Sequence, residues 1–242
     1  MTPPIIFCAI DTPDIALAET LAASMAEAGC GIKLGLEFFC ANGPGGVEKI
    51  RVEHPGLPLF LDLKFHDIPN TVAGAVRSAT ALAPTYMTVH ASGGIDMMKA
   101  AREAAHAEAA RLGVAAPRLL AVTVLTSFTQ ESLKQTGVEY SVESQVQGLA
   151  EIAIQKTDGH LDGLVCSPRE VENLRACFGP NLILMVPGIR PAGADQGDQK
   201  RVMTPAEAMK AGATHLVIGR PITGAKSPGA AARAILDSLQ AG

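Results

Sequence analysis

A chain of 242 residues with a formal net charge of −4 lacks the basic excess that general nucleic-acid binding requires, which excludes that class of protein. Hydrophobic residues make up 48% of the chain, so it can bury a sizeable core. Because there are only seven Phe, two Tyr and no Trp, that core must be mainly aliphatic. The five cysteines form no C-x-x-C pair, and no apolar run approaches the roughly 20 residues of a membrane span, so we expect reduced thiols and a cytoplasmic protein.

Eight short apolar runs are the candidate β-strands. They are almost continuously apolar instead of alternating between apolar and polar residues, which is typical of strands buried on both faces of a parallel sheet. In chain order the predicted strands are Ile5–Ile10, Gly31–Leu34, Leu59–Leu63, Tyr86–Val89, Leu119–Val124, Gly163–Val165, Leu182–Val186 and His215–Ile218.

Ala-rich segments with apolar residues at helical spacing lie between these runs. Several begin with a proline near the first turn, and others end close to a glycine, which are common helix start and stop signals. The predicted helices are Asp14–Ala28, a segment after Asn42 up to about His54, Pro69–Leu82, Asp96–Leu112, Val142–Lys156, Pro168–Cys177, Pro205–Ala211 and Pro228–Leu239. Eight strand-then-helix units predict a single (β/α)8 TIM barrel over residues 1–242, with a doubly wound open sheet as the alternative.

Charged residues follow the first three predicted strands, at the barrel rim where active sites lie. Asp62 and Lys64 are two residues apart, so their side chains point to the same side of a strand. Lys33 ends the preceding strand and Asp11 ends the first, while Asp67 follows Lys64 on the loop. Asp62 and Lys64 alone are compatible with a structural ion pair. Because buried charges cost free energy, two lysines and three carboxylates together predict a site that acts on a charged intermediate.

The last two predicted strands each lead into a loop that contains a glycine and an arginine. Gly188 and Arg190 follow the seventh strand, and Gly219 and Arg220 follow the eighth. Each loop alone is compatible with an ordinary surface arginine, but barrels often bind phosphate at these two positions, so the pair predicts a phosphate site. The polar segment Pro191–Met203 exceeds the usual βα loop of about 2–6 residues. We interpret it as a mobile lid, with a disordered spacer as the alternative.

Three motifs carry a resemblance to a known family. They are D-L-K-F-H-D-I-P-N-T at 62–71, V-P-G-I-R at 186–190 and I-G-R-P-I-T at 218–223. With further matches along the whole chain, they resemble orotidine 5'-phosphate decarboxylases of the short bacterial type. The resemblance implies conversion of orotidine 5'-monophosphate to UMP and CO2 in de novo pyrimidine biosynthesis. It also implies a homodimer with sites at the interface, and no metal or organic cofactor.

The resemblance further implies a role for individual residues. Lys64 would stabilise the C6 carbanion and donate a proton to it, within an alternating charge network of Lys33, Asp62, Lys64 and Asp67. Asp67 would enter the site of the partner subunit. The other implied assignments are Ile68 and Thr71 in the partner's site, Asp11 and Lys33 on the ribose hydroxyls, Asp62 and Thr126 on the substrate, Pro187 as a further substrate-binding residue, and Arg190, Gln199, Gly219 and Arg220 at the phosphate.

Two other functions stay open at this point. Sugar-phosphate enzymes of the same superfamily, such as hexulose-6-phosphate synthase, resemble the chain in D-x-K-x-x-D but use Mg²⁺ and have an acidic residue where Lys33 stands. A non-catalytic nucleotide-binding barrel that senses UMP is the second alternative, and the complete charged array argues against it. His90 ends a strand at the barrel mouth, and we assign it no role beyond lining the site.

Overall fold

The structure is a computed structural model, and it describes residues 5–156, 161–191 and 203–240. Strands and helices alternate along these ranges. The strands are β1 (Ile6–Ile10), β2 (Gly31–Gly35), β3 (Leu59–Phe65), β4 (Tyr86–His90), β5 (Arg118–Val122), β6 (Gly163–Val165), β7 (Ile183–Val186) and β8 (His215–Ile218). Each strand pairs in parallel with the next, and β8 pairs with β1, so the sheet closes into a barrel. The predicted (β/α)8 fold is therefore confirmed.

The helices surround this barrel. They are α1 (Ile15–Ala28), α2 (Leu36–Glu53), α3 (Pro69–Thr80), α4 (Gly94–Leu112), α5 (Gln130–Lys134), α6 (Val142–Ile154), α7 (Val171–Phe178), α8 (Pro205–Ala211), α9 (Arg220–Thr223) and α10 (Pro228–Gln240). Local sequence signals define several ends. The Asp14 carboxylate accepts the first free N–H groups of α1, and α1 ends at Gly29 in the left-handed conformation (φ 76°). Among the helices of the described ranges, none is both long and apolar enough to cross a bilayer.

Several predicted boundaries differ from the observed ones by a few residues, and the short helices α5 and α9 were not predicted. The helix predicted after Asn42 is present, because Gly43 has non-helical φ and ψ angles and divides α2 into two helical segments. The first segment, which begins at Leu36 directly after β2, was not predicted. Gly43 and Pro44 therefore mark a true start of a helical segment. The fifth strand ends at Val122 instead of Val124. Its neighbour β6 is short, and the last residue pair between the two strands is Val122 with Val165.

The barrel has an inner core that is separate from the layer between sheet and helices. The inner core consists of Phe7, Ala9, Phe60, Tyr86, Leu120, Val122, Val165, Met185 and Val217. The Phe7 ring packs edge-to-face on Tyr86, with ring centroids 5.5 Å apart. A Cβ atom at Gly31 would lie 2.5 Å from the Phe7 ring, so the close approach of β2 to this ring requires a glycine. These aromatic rings fill the barrel interior below the strand ends.

A buried histidine joins the inner aromatic cluster. His215 Nε2 lies 3.1 Å from the Tyr86 hydroxyl, and its Nδ1 lies 2.9 Å from Thr214 Oγ1. Burial, with a smaller contribution from the positive charge of Arg118, lowers the pKa of His215 to about 4. His215 is therefore neutral at physiological pH, and both ring nitrogens have hydrogen-bond partners in the interior.

Candidate active site

A cavity of about 460 Å³ lies at the carboxyl ends of the strands. Its floor includes Ala9 and Phe60 of the inner core, so it lies directly above the aromatic rings. Charged and polar side chains form its rim. The predicted site residues that line it are Asp11, Lys33, Asp62, Lys64, Thr126, Pro187, Arg190, Gly219 and Arg220. The structure thus brings residues from distant parts of the sequence together at one cavity.

An alternating chain of charges crosses one side of the cavity. Lys33 Nζ lies 3.2 Å from Asp11 Oδ1 and 3.6 Å from Asp62 Oδ2, and Lys64 Nζ lies 2.7 Å from the same Asp62 oxygen. The parallel register produces this convergence, because Lys33 is paired with Ala9 on one side and with Phe60 on the other. The order of charges is therefore carboxylate, ammonium, carboxylate, ammonium.

Asp62 is the central carboxylate of this array, with a side chain only 10% exposed. Its burial raises the pKa, but the positive charges of Lys33 and Lys64 and the hydrogen bonds from Lys64 and Thr88 outweigh that effect. The pKa of Asp62 therefore lies below its ordinary value. Asp62 is an anion at neutral pH, although it is removed from water.

The backbone around Lys64 departs from regular strand geometry. Lys64 has φ 51°, a left-handed value that is unusual for a residue other than glycine. The pairing between β3 and β4 shifts here, because Leu61 pairs with Met87 but Phe65 pairs with Val89. Between these two pairs β3 moves on by four residues while β4 moves on by two, so β3 contains a bulge. Lys64 is the residue whose side chain reaches Asp62 from this bulge.

Thr88 was not among the predicted site residues, although it contacts the array. Its hydroxyl lies 3.0 Å from Asp62 Oδ1 and 2.9 Å from the backbone nitrogen of Lys64. The side chain is fully buried on β4. A threonine inside an apolar strand is common in sheets, so the sequence carries no signal that distinguishes this one.

The loop after β3 extends away from the cavity. Asp67, Ile68 and Thr71 are exposed, and none of the three is among the residues that line it. Among the described residues of this chain, Asp11 and Asp62 are the carboxylates that line the cavity, and the expected third carboxylate, Asp67, lies outside it. The Asp67 carboxylate accepts a hydrogen bond from the N–H of Ile68 at 2.6 Å. Ile68 is 67% exposed, which is a large exposure for an aliphatic side chain.

The two glycine-arginine loops, which follow β7 and β8, also line the cavity. Gly188 has φ 78°, which only glycine adopts readily, and Arg190 is buried, with its guanidinium donating to the Ile189 carbonyl at 2.9 Å. Arg220 is exposed and begins α9. The two ends of the predicted lid are paired, since the N–H of Arg190 donates to the Met203 carbonyl at 3.0 Å. Gln199 and most of that predicted lid lie outside the described residues.

A pair of histidines adjoins the charged array. The rings of His66 and His90 have centroids 5.4 Å apart. Burial lowers the pKa of His90, and electrostatic interactions with His66 and Lys64 lower it further, against an opposing effect of Asp62. His90 is therefore neutral at neutral pH. Among the residues that the structure describes, no group of three or more His, Cys, Asp or Glu side chains could hold a metal ion.

A second cavity, of about 480 Å³, lies among helices α5, α6 and α7. Its lining includes the apolar side chains of Phe128, Val146 and Leu174, and its charged residues are the exposed Glu143 and Arg169 and the buried Glu170. The Glu170 carboxylate accepts a hydrogen bond from the N–H of Ser167, so it has a structural role at a helix start. The array at the strand ends instead brings buried charges together, which is the arrangement that active sites require. We therefore identify the cavity above the inner core as the candidate active site.

Comparison with known proteins assigns the chain to a family. Residues 4–235 match the model of the orotidine 5'-phosphate decarboxylase / HUMPS family. The chain is 55% identical to the orotidine 5'-phosphate decarboxylase of Rhodospirillum rubrum over 99% of this chain and 95% of that protein, and 52% identical to that of Paramagnetospirillum magneticum over 97% of each. The crystal structure of the Lactobacillus acidophilus enzyme, also an orotidine 5'-phosphate decarboxylase, superimposes with a TM-score of 0.85 at 34% identity, covering 98% of this chain and 99% of that one. The chain therefore belongs to the orotidine 5'-phosphate decarboxylase / HUMPS family and is a carboxy-lyase.

Proposed function

We propose that the chain converts orotidine 5'-monophosphate to UMP and CO2, the decarboxylation step of de novo pyrimidine biosynthesis, without a metal or organic cofactor. The observation that carries the proposal is the partly buried array Asp11–Lys33–Asp62–Lys64 at a cavity that the two glycine-arginine loops also line. Curated relatives at 55% and 52% identity are orotidine 5'-phosphate decarboxylases, which supports this substrate over the sugar phosphates of the other branch.

Lys64 is the proposed proton donor. When the bond between C6 and the carboxyl carbon breaks, the electron pair stays on C6, where the pyrimidine ring delocalises it poorly. An ammonium held at that carbon stabilises the developing negative charge and then transfers a proton to it, giving UMP. The Asp62 carboxylate, 2.7 Å from Lys64 Nζ, holds this ammonium in place before the reaction. Solvent returns the proton to Lys64 afterwards.

Asp62 is proposed to act on the carboxylate of the substrate. Because Asp62 is a buried anion, a substrate carboxylate bound beside it is repelled, and the repulsion disappears when the neutral CO2 molecule leaves. Lys33 completes the array, since it holds Asp62 ionised and separates it from Asp11. In the proposed complex, Asp11 and Lys33 also bind the ribose hydroxyls.

The remaining contacts are proposed to hold the rest of the nucleotide. Thr126 would contact the pyrimidine, and the phosphate would lie at Arg190, Gly219 and Arg220, with Pro187 beside it. These residues line the cavity on the side away from most of the charged array. Binding energy from the phosphate, which does not react, can then support the chemistry at C6. Gln199 is proposed as a further phosphate ligand on the basis of the motif alone.

The proposed enzyme is a cytoplasmic homodimer in which Asp67 and Thr71 reach the site of the partner subunit. The exposure of Asp67 and Thr71, and of the apolar side chain Ile68 beside them, supports this arrangement, because a second copy would cover an aliphatic group that water now contacts. In a two-fold symmetric dimer each subunit contributes the same residues to the active site of the other, so one interface would complete both sites.

A spectrophotometric assay on purified protein treated with EDTA tests the proposal. We expect the absorbance of orotidine 5'-monophosphate to change as UMP forms, at the same rate with and without the chelator. Binding of UMP with no turnover of orotidine 5'-monophosphate would instead indicate a nucleotide sensor. Activity that disappears with EDTA and returns with Mg²⁺ would contradict the proposed metal-free chemistry.

A further inference from the structure

We propose that Thr88 is a positioning residue for the reaction, whose hydroxyl holds the Asp62 carboxylate and the Lys64 backbone in one fixed arrangement. The inference rests on the proposed function, since it concerns how the two central members of the charged array are kept in place. Thr88 does not line the cavity, so it acts through Asp62 and Lys64.

The orientation of the Thr88 hydroxyl is determined by its two partners. The backbone N–H of Lys64 can only donate, so Thr88 Oγ1 accepts this hydrogen bond at 2.9 Å. The ionised Asp62 carboxylate can only accept, so the same hydroxyl donates its proton to Asp62 Oδ1 at 3.0 Å. One buried oxygen thus connects the backbone of one proposed reacting residue to the side chain of the other.

The bulge in β3 explains why Lys64 needs this acceptor. Where β3 advances four residues against two of β4, the regular backbone ladder is interrupted. The N–H of Lys64 bonds to the Thr88 side chain from the neighbouring strand, so a hydroxyl takes the place of a backbone carbonyl. This bond forms at a residue whose φ of 51° is unfavourable for a side chain with a Cβ atom, and it helps to hold that conformation.

Thr88 also fixes the plane of the Asp62 carboxylate. Lys64 and Lys33 both approach Oδ2, at 2.7 and 3.6 Å, whereas Thr88 Oγ1 lies 3.0 Å from Oδ1. Without the hydroxyl, the two ammonium groups would hold one oxygen only, and the carboxylate could rotate about its Cβ–Cγ bond. A rotation that moves the carboxylate also moves the Lys64 ammonium, because the two are directly paired.

Three variants test this role. Thr88→Val keeps the shape of the side chain and removes the hydroxyl, whereas Thr88→Ser keeps the hydroxyl and removes a methyl group. Thr80→Val is the matched control, because Thr80 is also fully buried but its hydroxyl donates to the Val76 carbonyl within α3. If Thr88→Val does not fold, Thr88→Cys takes its place, since a thiol is only a weak hydrogen-bond donor.

We expect Thr88→Val to lower kcat by about 100-fold with a much smaller change in KM, because a misplacement of about 1 Å at a reacting group has this effect. Thr88→Ser should retain kcat to within about tenfold of the wild type, and Thr80→Val to within about twofold. The acid limb of the kcat profile should also move to higher pH in Thr88→Val. The variant loses a hydrogen bond that favours the ionised form of Asp62, so the pKa of that carboxyl rises.

The charged and titratable groups that face Asp62 in the described structure are Lys33, Lys64 and His90, with Asp11 beyond Lys33. All four remain in Thr88→Val, so a shifted acid limb reports on the missing hydroxyl. An unchanged kcat and pH profile in folded Thr88→Val would overturn the inference, and so would an equal loss of kcat in Thr88→Ser. A wild-type protein that does not decarboxylate orotidine 5'-monophosphate would instead contradict the proposed function, which the same assay series reveals first.

Discussion

The ammonium of Lys64 lies 2.7 Å from the Asp62 oxygen that Lys33 approaches at 3.6 Å. Two positive charges therefore share one buried carboxylate oxygen, and Asp11 balances the second of them. The four charges sum to zero, so the array can lie in a partly buried cavity without a further ion. Removal of any one member leaves the array with an unbalanced charge.

Replacement of Lys64 by alanine should lower kcat by at least about 100-fold, which is the lower range for the loss of a general acid. The fold should persist, because Asp62 keeps its contacts with Lys33 and Thr88. Circular dichroism and steady-state kinetics measure the two effects. Lys49→Ala is the control, since Lys49 pairs with Glu19 on the surface and should leave kcat unchanged. Near-normal turnover in Lys64→Ala would remove Lys64 from the proposed mechanism.

Replacement of Arg220 by alanine should act mainly through the phosphate group. We expect kcat/KM for orotidine 5'-monophosphate to fall about 100-fold, because a charge-assisted hydrogen bond to phosphate is lost. The value for orotidine, which has no phosphate, should change by less than about threefold. Arg111→Ala, which removes an exposed arginine paired with Glu108 on α4, serves as the control. Equal losses for both substrates would show that Arg220 does not recognise the phosphate.

Mixed dimers test whether Asp67 serves the partner's site. Lys64→Ala and Asp67→Ala should each be inactive alone. A heterodimer of the two has one site with both defects and one intact site, so an equal mixture after subunit exchange should regain about a quarter of wild-type activity. A mixture of Lys64→Ala with Asp62→Asn should regain none, since both residues would serve their own subunit. Failure of the first mixture, with subunit exchange demonstrated by mass, would mean that Asp67 acts within its own chain or not at all.

His215 should make the stability of the fold depend on pH. Its pKa is lowered to about 4 in the folded protein, mainly by burial, whereas an unfolded histidine titrates near about 6.5. Below about pH 6.5, His215 binds a proton in the unfolded chain but stays neutral in the folded chain. The free energy of unfolding therefore falls as the pH decreases towards about 4. The loss should total about 3 kcal/mol.

Urea denaturation at a series of pH values measures this effect. The wild type should lose stability between about pH 6.5 and 4, and His215→Gln should lack that part of the slope. His106→Gln, at an exposed position on α4, should keep the wild-type slope. Identical pH dependence in the wild type and His215→Gln would show that the buried histidine is not the source of acid sensitivity.

The closed barrel could be predicted because its strands are apolar almost throughout and its helices carry clear end signals. The positions of Lys33, Asp62 and Lys64 at the mouth followed from the rule that barrel sites lie at strand ends. The bulge at Lys64 could not be predicted, since a left-handed lysine depends on contacts with β4 and leaves no local pattern. Thr88 was missed for the same reason, because its partners are 24 and 26 residues away in the chain.

The aromatic rings of the inner core limit how molecules can enter and leave the cavity. Phe7, Phe60 and Tyr86 are almost completely shielded from solvent and fill the barrel beneath the cavity floor. The cavity is thus closed at its lower end, because these rings block the barrel interior of the described structure. In the proposed reaction CO2 and UMP would both leave through the opening at the strand ends. The bound nucleotide itself obstructs this opening. The order in which they leave would then depend on how far the phosphate rim loosens after each turnover.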